Sequence, residues 1–128
     1  MYSSEISGDW TNWANKRIDE LVREIIELDD EDFDAPDLAT VEQAKAFIEE
    51  VQRQPEFFQI GAPKIWLSQN GDCVFQWTRD RARMEFKFTP SEMVVFVQTG
   101  DTASSETHSH SKNESSKLAQ AIALYRAA

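Results

Sequence analysis

Cysteine, glycine, histidine and basic residues are all scarce in this 128-residue chain, and each shortage removes a class of function. A single cysteine, Cys73, excludes an internal disulfide and a cysteine-based zinc site, and it suits a reducing cytoplasm. With four glycines, and neither G-x-G-x-x-G nor G-x-x-x-x-G-K-[ST] present, no phosphate cradle is spelled out. The two histidines, His108 and His110, lie in a Ser-Glu-Thr-His-Ser-His-Ser stretch and have no third metal ligand beside them. No run approaches the roughly 20 apolar residues of a membrane span. The N-terminus shows no basic segment leading into an apolar one, so a cytoplasmic location is expected. Thirteen Lys and Arg against 23 Asp and Glu leave a net charge of −10, which argues against direct, sequence-independent binding to nucleic acid.

The negative charge is unevenly spread. Residues 1–60 carry −11 and residues 61–128 carry +1. The densest part is Glu27, Asp29, Asp30, Glu31, Asp32, Asp34 and Asp37, seven acids within eleven residues. Such a block repels itself and stays solvated, so it reads either as an interhelical turn that aids solubility or as a docking surface for a basic partner. A calcium loop begun at Asp30 places Asp32 and Asp34 correctly. However, Ala35 stands where glycine is required and Val41 where a bidentate glutamate is required, so an EF-hand is rejected.

Around this block the apolar residues follow a helical period. Trp10, Trp13, Ala14, Ile18, Leu21, Val22, Ile25, Ile26 and Leu28 form one broad stripe, which predicts a helix over 9–28 and an acidic loop over 29–39. Thr40 and Gln43 have capping-box spacing, so a second helix is expected over 40–54, stopped by Pro55.

From Lys64 to Thr99 the period falls to two. Asn70-Gly71 suits a two-residue type I′ hairpin, which pairs Trp66 with Phe75 and Leu67 with Val74. Turns at Asp80-Arg81 and across 89–92 then pair Trp77 with Met84, Phe75 with Phe86, Cys73 with Phe88 and Phe86 with Val95. All three turns place the aromatic residues on one face of a four-stranded antiparallel meander over 64–99, where the helices should cover them. The other face would present Ile65, Leu67, Val74, Val94 and Phe96 among polar neighbours, to be covered by a C-terminal helix or by a partner. Residues 100–116 read as a Ser-rich flexible loop and 117–127 as a short helix.

Little here looks catalytic. Cys73 falls on the apolar face against Phe88, where a thiol acts as a small hydrophobe. Glu85, between Arg83 and Lys87, reads as part of a cross-strand polar ladder with Gln76. Arg79, Arg81 and Arg83 near Trp77 could suggest stacking on a single strand of nucleic acid, but Trp77 belongs to the buried face. No catalytic, cofactor-binding or metal-binding residue is assigned.

The stretch 63–97, with Pro63, Asn70, Gly71, Trp77, Glu85 and Pro90, resembles a pattern found in small, largely uncharacterised bacterial α+β proteins. There a proline, a strand, an Asn-Gly or Asp-Gly turn, a strand ending in Trp and a third alternating strand follow a helix. The resemblance implies the fold and a bacterial or mobile-element setting, and it transfers no catalytic residue.

These observations predict a single α+β domain over 1–128 in the order α-α-β-β-β-β-α. The expected function is that of a non-catalytic acidic module. It would dock on a basic protein (a toxin, a nuclease or another nucleic-acid-binding protein) in the manner of an immunity or antitoxin-type inhibitor. The alternative is an accessory subunit or secretion-type chaperone that binds through the outer sheet face and its edges, with a homodimer left open.

Overall fold

An amphipathic helix needs an apolar surface to lie on, and the strands that follow supply one. The computed structural model describes residues 9–109 and 115–127. Within them run α1 (Thr11–Leu28), α2 (Leu38–Val51), the single turn α3 (Glu56–Gln59) and β1 (Lys64–Leu67). Then follow β2 (Cys73–Arg79), β3 (Ala82–Phe88), β4 (Glu92–Thr99), β5 (Thr102–Ser109) and α4 (Ser115–Ala127). The class is α+β, with an antiparallel sheet in the order β1-β2-β3-β4-β5.

Asp9 starts α1. Its Oδ1 accepts the Thr11 N–H at 3.0 Å and also the Thr11 hydroxyl, which holds its carboxyl below the usual carboxylate range. Trp10 is buried beside this start, its Nε1 donating to the Phe57 carbonyl at 3.1 Å. The capping box expected at Thr40 does not form. Asp37, with ψ 153°, is the N-cap of α2, so Leu38 opens the helix and Thr40 turns inward. The helix also stops at Val51, short of 54. Pro55 then opens α3, whose Phe57 and Phe58 N–H groups donate to Gln54 and Pro55.

From β2 to β4 the expected register is observed: Phe75 faces Phe86, Cys73 faces Phe88 and Phe86 faces Val95. The first hairpin is one residue off. A type I′ turn needs positive φ at both central residues, but of Asn70 and Gly71 only Gly71 has it (+84°). The Gly71 N–H therefore closes on Ser68 at 3.0 Å, and Ser68 pairs with Asp72 at 2.8 Å around a three-residue loop. A one-residue slip exchanges the faces of a strand. Ile65 now opposes Phe75 and Leu67 opposes Cys73, so both belong to the core side, while Trp66 lies outside beside Val74.

The stretch expected as a flexible loop over 100–116 contains a fifth strand. Thr99, Gly100, Asp101 and Thr102 make a two-residue turn with Gly100 at φ +63°, and β5 pairs with β4 along its whole length. Residues 101–107 are exposed, so this edge strand is held by its backbone ladder and shows no apolar alternation. Residues 110–114 lie outside the described set.

The core lies between this sheet and the helices. Phe47 of α2 has ring contacts with Phe57, Phe75, Phe86 and Phe88 at centroid distances of 4.8–6.2 Å. The last helix joins the same face: Leu118, Ala121, Ile122 and Tyr125 are buried in the one cluster, and α4 packs on β3 and β4. It does not cover the outer face. Arg79 fastens its end, donating to the Tyr125 carbonyl at 3.1 Å with its guanidinium 5.2 Å from the Tyr125 ring.

Candidate functional site

The two halves of α1 meet different surroundings. Thr11, Ala14 and Ile18 are buried, whereas no residue from Asp19 to Leu28 is. The reason is length. Eighteen residues of helix span about 27 Å, and the four residues of β1, against which α1 packs, span about 13 Å. The C-terminal turns of α1 therefore run past the end of β1, with Leu21 and Val22 only partly buried against the core.

This overhang leads into the acidic loop. Asp29 ends α1 in the left-handed region at φ 48°, and its N–H donates to the Ile25 carbonyl at 3.3 Å. Asp30 Oδ1 accepts the Asp32 N–H at 2.9 Å, and the Phe33 N–H donates to the Asp30 carbonyl at 3.0 Å. The Asp34 N–H then donates to the Gln69 carbonyl in the first hairpin at 2.8 Å. Gly71 of that hairpin touches the loop so closely that a Cβ there would stand 3.0 Å from the Ala35 carbonyl oxygen. The acidic segment is thus seated on the sheet's first turn.

All seven acids named from the sequence, Glu27, Asp29, Asp30, Glu31, Asp32, Asp34 and Asp37, are exposed in this one region. Apolar residues that sequence reasoning did not assign to the surface lie among them. Ile26 is 61% exposed, Leu28 57%, Phe33 39% and Leu38 73%. Those four, with Leu124, are the exposed large hydrophobics among the described residues. The sequence signal was present but ambiguous: a stripe as long as 10–28 marks one helix face without saying how far the supporting surface reaches. Between the loop, the α2 start and the first hairpin lies an open depression of about 340 Å³, lined by Asp34, Asp37, Thr40, Asn70, Gly71 and Pro90 among others.

The alternative face holds only part of its expected set. With Ile65 and Leu67 turned inward, Val74, Val94 and Phe96 remain, joined by Trp66. Val74, between Trp66 and Lys87 in register, is 4% exposed. The Arg83 guanidinium lies 4.8 Å from the Phe96 ring and its Nε is 3.1 Å from Glu85, although that N–H is not aligned for a hydrogen bond. Gln76 donates to Glu85 at 3.1 Å, the expected cross-strand ladder. Lys64 lies 5.4 Å from the Trp66 ring, so cations cover much of this apolar surface.

The remaining reactive side chains are occupied or inert. Burial pushes the Cys73 thiol up to about 12, which leaves it protonated at neutral pH. The Trp77 ring is buried and its Nε1 donates to the Gly61 carbonyl at 2.8 Å, so it offers no stacking platform. The backbone of His108 lies in β5 opposite Met93, and His110 falls outside the described residues. Among the described residues no three of His, Cys, Asp and Glu are grouped to hold a metal ion, and no helix is long and apolar enough to cross a membrane. No family model matches the chain, and comparison with curated proteins and with solved structures returns no match.

Proposed function

We propose that this chain is a non-catalytic binding module that docks its overhanging acidic end on a basic protein, as an immunity or antitoxin-type inhibitor does. One observation carries the reading: four exposed large hydrophobics, Ile26, Leu28, Phe33 and Leu38, are interleaved with seven acids over residues 26–38. Protein interfaces combine a desolvated apolar centre with a charged rim that steers encounter. A solubility loop needs the acids but has no use for the apolar residues. The negative surface would occupy the place where a nuclease or other basic partner receives nucleic acid.

The test begins with the protein that co-purifies with the chain from its source cells. Its affinity should fall steeply as salt rises from low to physiological strength. Reversal of Asp30, Asp32 and Asp34 to Lys should abolish binding, and Ile26→Asp with Leu28→Asp should weaken it at least tenfold. A salt-independent affinity would remove the electrostatic account.

A second reading has its own observation. All four helices lie on one side of the sheet, leaving Trp66 outside on β1 and Val94 and Phe96 outside on β4, next to the open β5 edge. An accessory subunit or chaperone would bind there, or a second copy would pair with the edge. Under that reading Phe96→Asp abolishes binding and the charge reversal leaves it intact.

A further inference from the structure

We infer that two copies of this chain join edge to edge through β5 into one continuous ten-stranded sheet, which gives the edge-binding reading above its occupant and leaves the acidic end free for a different partner. The two edges of the sheet are built differently. β1 is four residues long, follows Pro63 and begins with Lys64, and α1 packs against it. Short length, proline, lysine and a covering helix are the devices by which proteins blunt an edge. β5 has none of them. It runs for eight residues without proline or lysine, and its register to β4 is unbroken, so no bulge bends it away. Among the described residues no strand lies beyond it. Residues 102–107 are all exposed, so only backbone pairing offsets the cost of ordering this strand, and one side of that pairing is unused.

The turn before β5 fixes which backbone groups point outward. Thr99 and Thr102 close a two-residue hairpin with Gly100 at φ +63°, and in such a hairpin the closing residues exchange hydrogen bonds. Ser104 and Glu106 then bond back to β4, and the N–H and C=O groups of Ala103, Ser105 and Thr107 point away from it. A two-fold partner must set outward residues opposite outward residues. Centring on Glu106 brings two carboxylates face to face and is disfavoured. Centring on Ser104 or Thr107 pairs only 102–106 or 105–109. Centring on Ser105 pairs 102–108, with Ser105 opposite Ser105 of the second copy, Ala103 opposite Thr107 and Ser104 opposite Glu106, and no like charges meet.

Charge and shape favour the same edge. The acidic loop is seated on the hairpin between β1 and β2, at the far side of the sheet. Two copies joined at β5 therefore hold their loops roughly 34–43 Å apart, several Debye lengths. The acids at the edge already face cations: Asp101 meets Arg81 at 2.7 Å, and Glu106 meets Lys117 at 3.7 Å. The one exposed large hydrophobic away from the acidic end, Leu124, is 52% exposed and lines a narrow groove over β5 with Ser104, Glu106 and Lys117. A second β5 extends the floor of that groove by one strand spacing, about 4.8 Å, and gives Leu124 more to pack on.

The experiment is sedimentation velocity of the full chain over a concentration series. A monomer–dimer equilibrium is expected, with a dissociation constant on the order of 10 µM. It should tighten as salt rises, because salt screens the repulsion between two acidic chains, whereas docking on a basic partner has the opposite salt dependence. Ser105→Pro removes an outward N–H and spares the ladder to β4, and Ser105→Asp places like charges at the two-fold axis. Each should weaken the dimer at least tenfold. The urea midpoint of dilute Ser105→Asp should equal that of the parent, which separates lost pairing from lost folding. Ser105→Cys should cross-link on oxidation, since a hydrogen-bonded antiparallel pair holds its Cα atoms about 5.5 Å apart, within disulfide reach, and Ala103→Cys should not. Cys73, 1% exposed, does not compete. A chain that is monomeric at about 1 mM, a dimer that survives both Ser105 variants or loosens as salt rises, or equal cross-linking by Ala103→Cys would each overturn the inference. If Phe96→Asp dissolves the dimer and the Ser105 variants do not, the copies meet through the outer face, so the edge pairing falls and that face stands as the interface. If the chain is monomeric yet binds its co-purified partner with steep salt dependence, the pairing falls and the acidic docking surface stands.

Discussion

The two halves of α1 share one amphipathic pattern but have separate fates. In the N-terminal half, Trp10, Thr11, Ala14 and Ile18 are buried against the sheet and α3. In the C-terminal half the same stripe continues, with Leu21 and Val22 only partly buried against the core and Ile26 and Leu28 exposed. Apolar periodicity therefore reports which side of a helix is apolar, and the length of the partner surface decides how much of that side becomes core. The surplus, rimmed with carboxylates, is the surface on which the proposed docking rests.

The sharpest test of this contrast uses one residue type twice. Ile18→Ala removes a fully buried side chain and should cost about 2–5 kcal/mol, whereas Ile26→Ala should stay within about 0.5 kcal/mol. Urea denaturation measures both, and equal costs would mean that the C-terminal half is not an overhang. Next in size is the seat of the acidic loop. Gly71→Ala places a side chain at φ +84° and 3.0 Å from the Ala35 oxygen, so it should cost about 1–3 kcal/mol. It should also speed proteolysis within 29–37, and an unchanged cleavage rate would show the loop to be free of the hairpin.

The buried half should also show itself in alkali. Cys73 is held protonated in the fold, with its thiol raised from 9.0 to about 12. Above pH 9 the unfolded chain therefore releases a proton that the folded chain keeps. Stability is thus fully present below about pH 9 and is lost toward pH 12, by at most about 1.4 kcal/mol per pH unit. Tyr125, raised mainly by its own burial, acts in the same direction at higher pH. Urea midpoints at pH 8 and pH 10.5 should converge in Cys73→Ala relative to the parent chain, and a parent protein with identical midpoints would contradict the burial. The smallest effect is expected where the buried half begins. Asp9→Ala removes the acceptor for the Thr11 N–H and should cost about 1 kcal/mol at neutral pH. Because the Asp9 carboxyl is lowered in the fold, that difference should vanish as pH falls below its ordinary value of 3.8, as acid titration of both proteins would show.

Much of the sheet was legible because two independent signals agreed there. The turns at Asp80-Arg81 and 89–92 and the alternation of Cys73, Phe75, Trp77, Met84, Phe86 and Phe88 specify one register, and that register is present. The first hairpin misled because Asn70-Gly71 serves both a two-residue and a three-residue loop, and β1 is too short for its four residues to arbitrate. At the candidate site the acids were legible by composition. Thr40 was not: its spacing to Gln43 matched a capping box, but Asp37 took the cap and left the hydroxyl inside.

The sequence by itself determined the α+β class, the parity of β2, β3 and β4, and the concentration of carboxylates between two helices. Each of these depends on period, turn chemistry or charge, which act over a few neighbouring residues. Tertiary structure alone decided the rest. It made β5 a strand, because an exposed edge is held by backbone pairing and needs no apolar pattern. It laid α4 on the helical side of the sheet, leaving the outer face without a helix. It also left the end of α1 beyond β1, because how far a helix outruns its support depends on two elements that lie far apart in the chain.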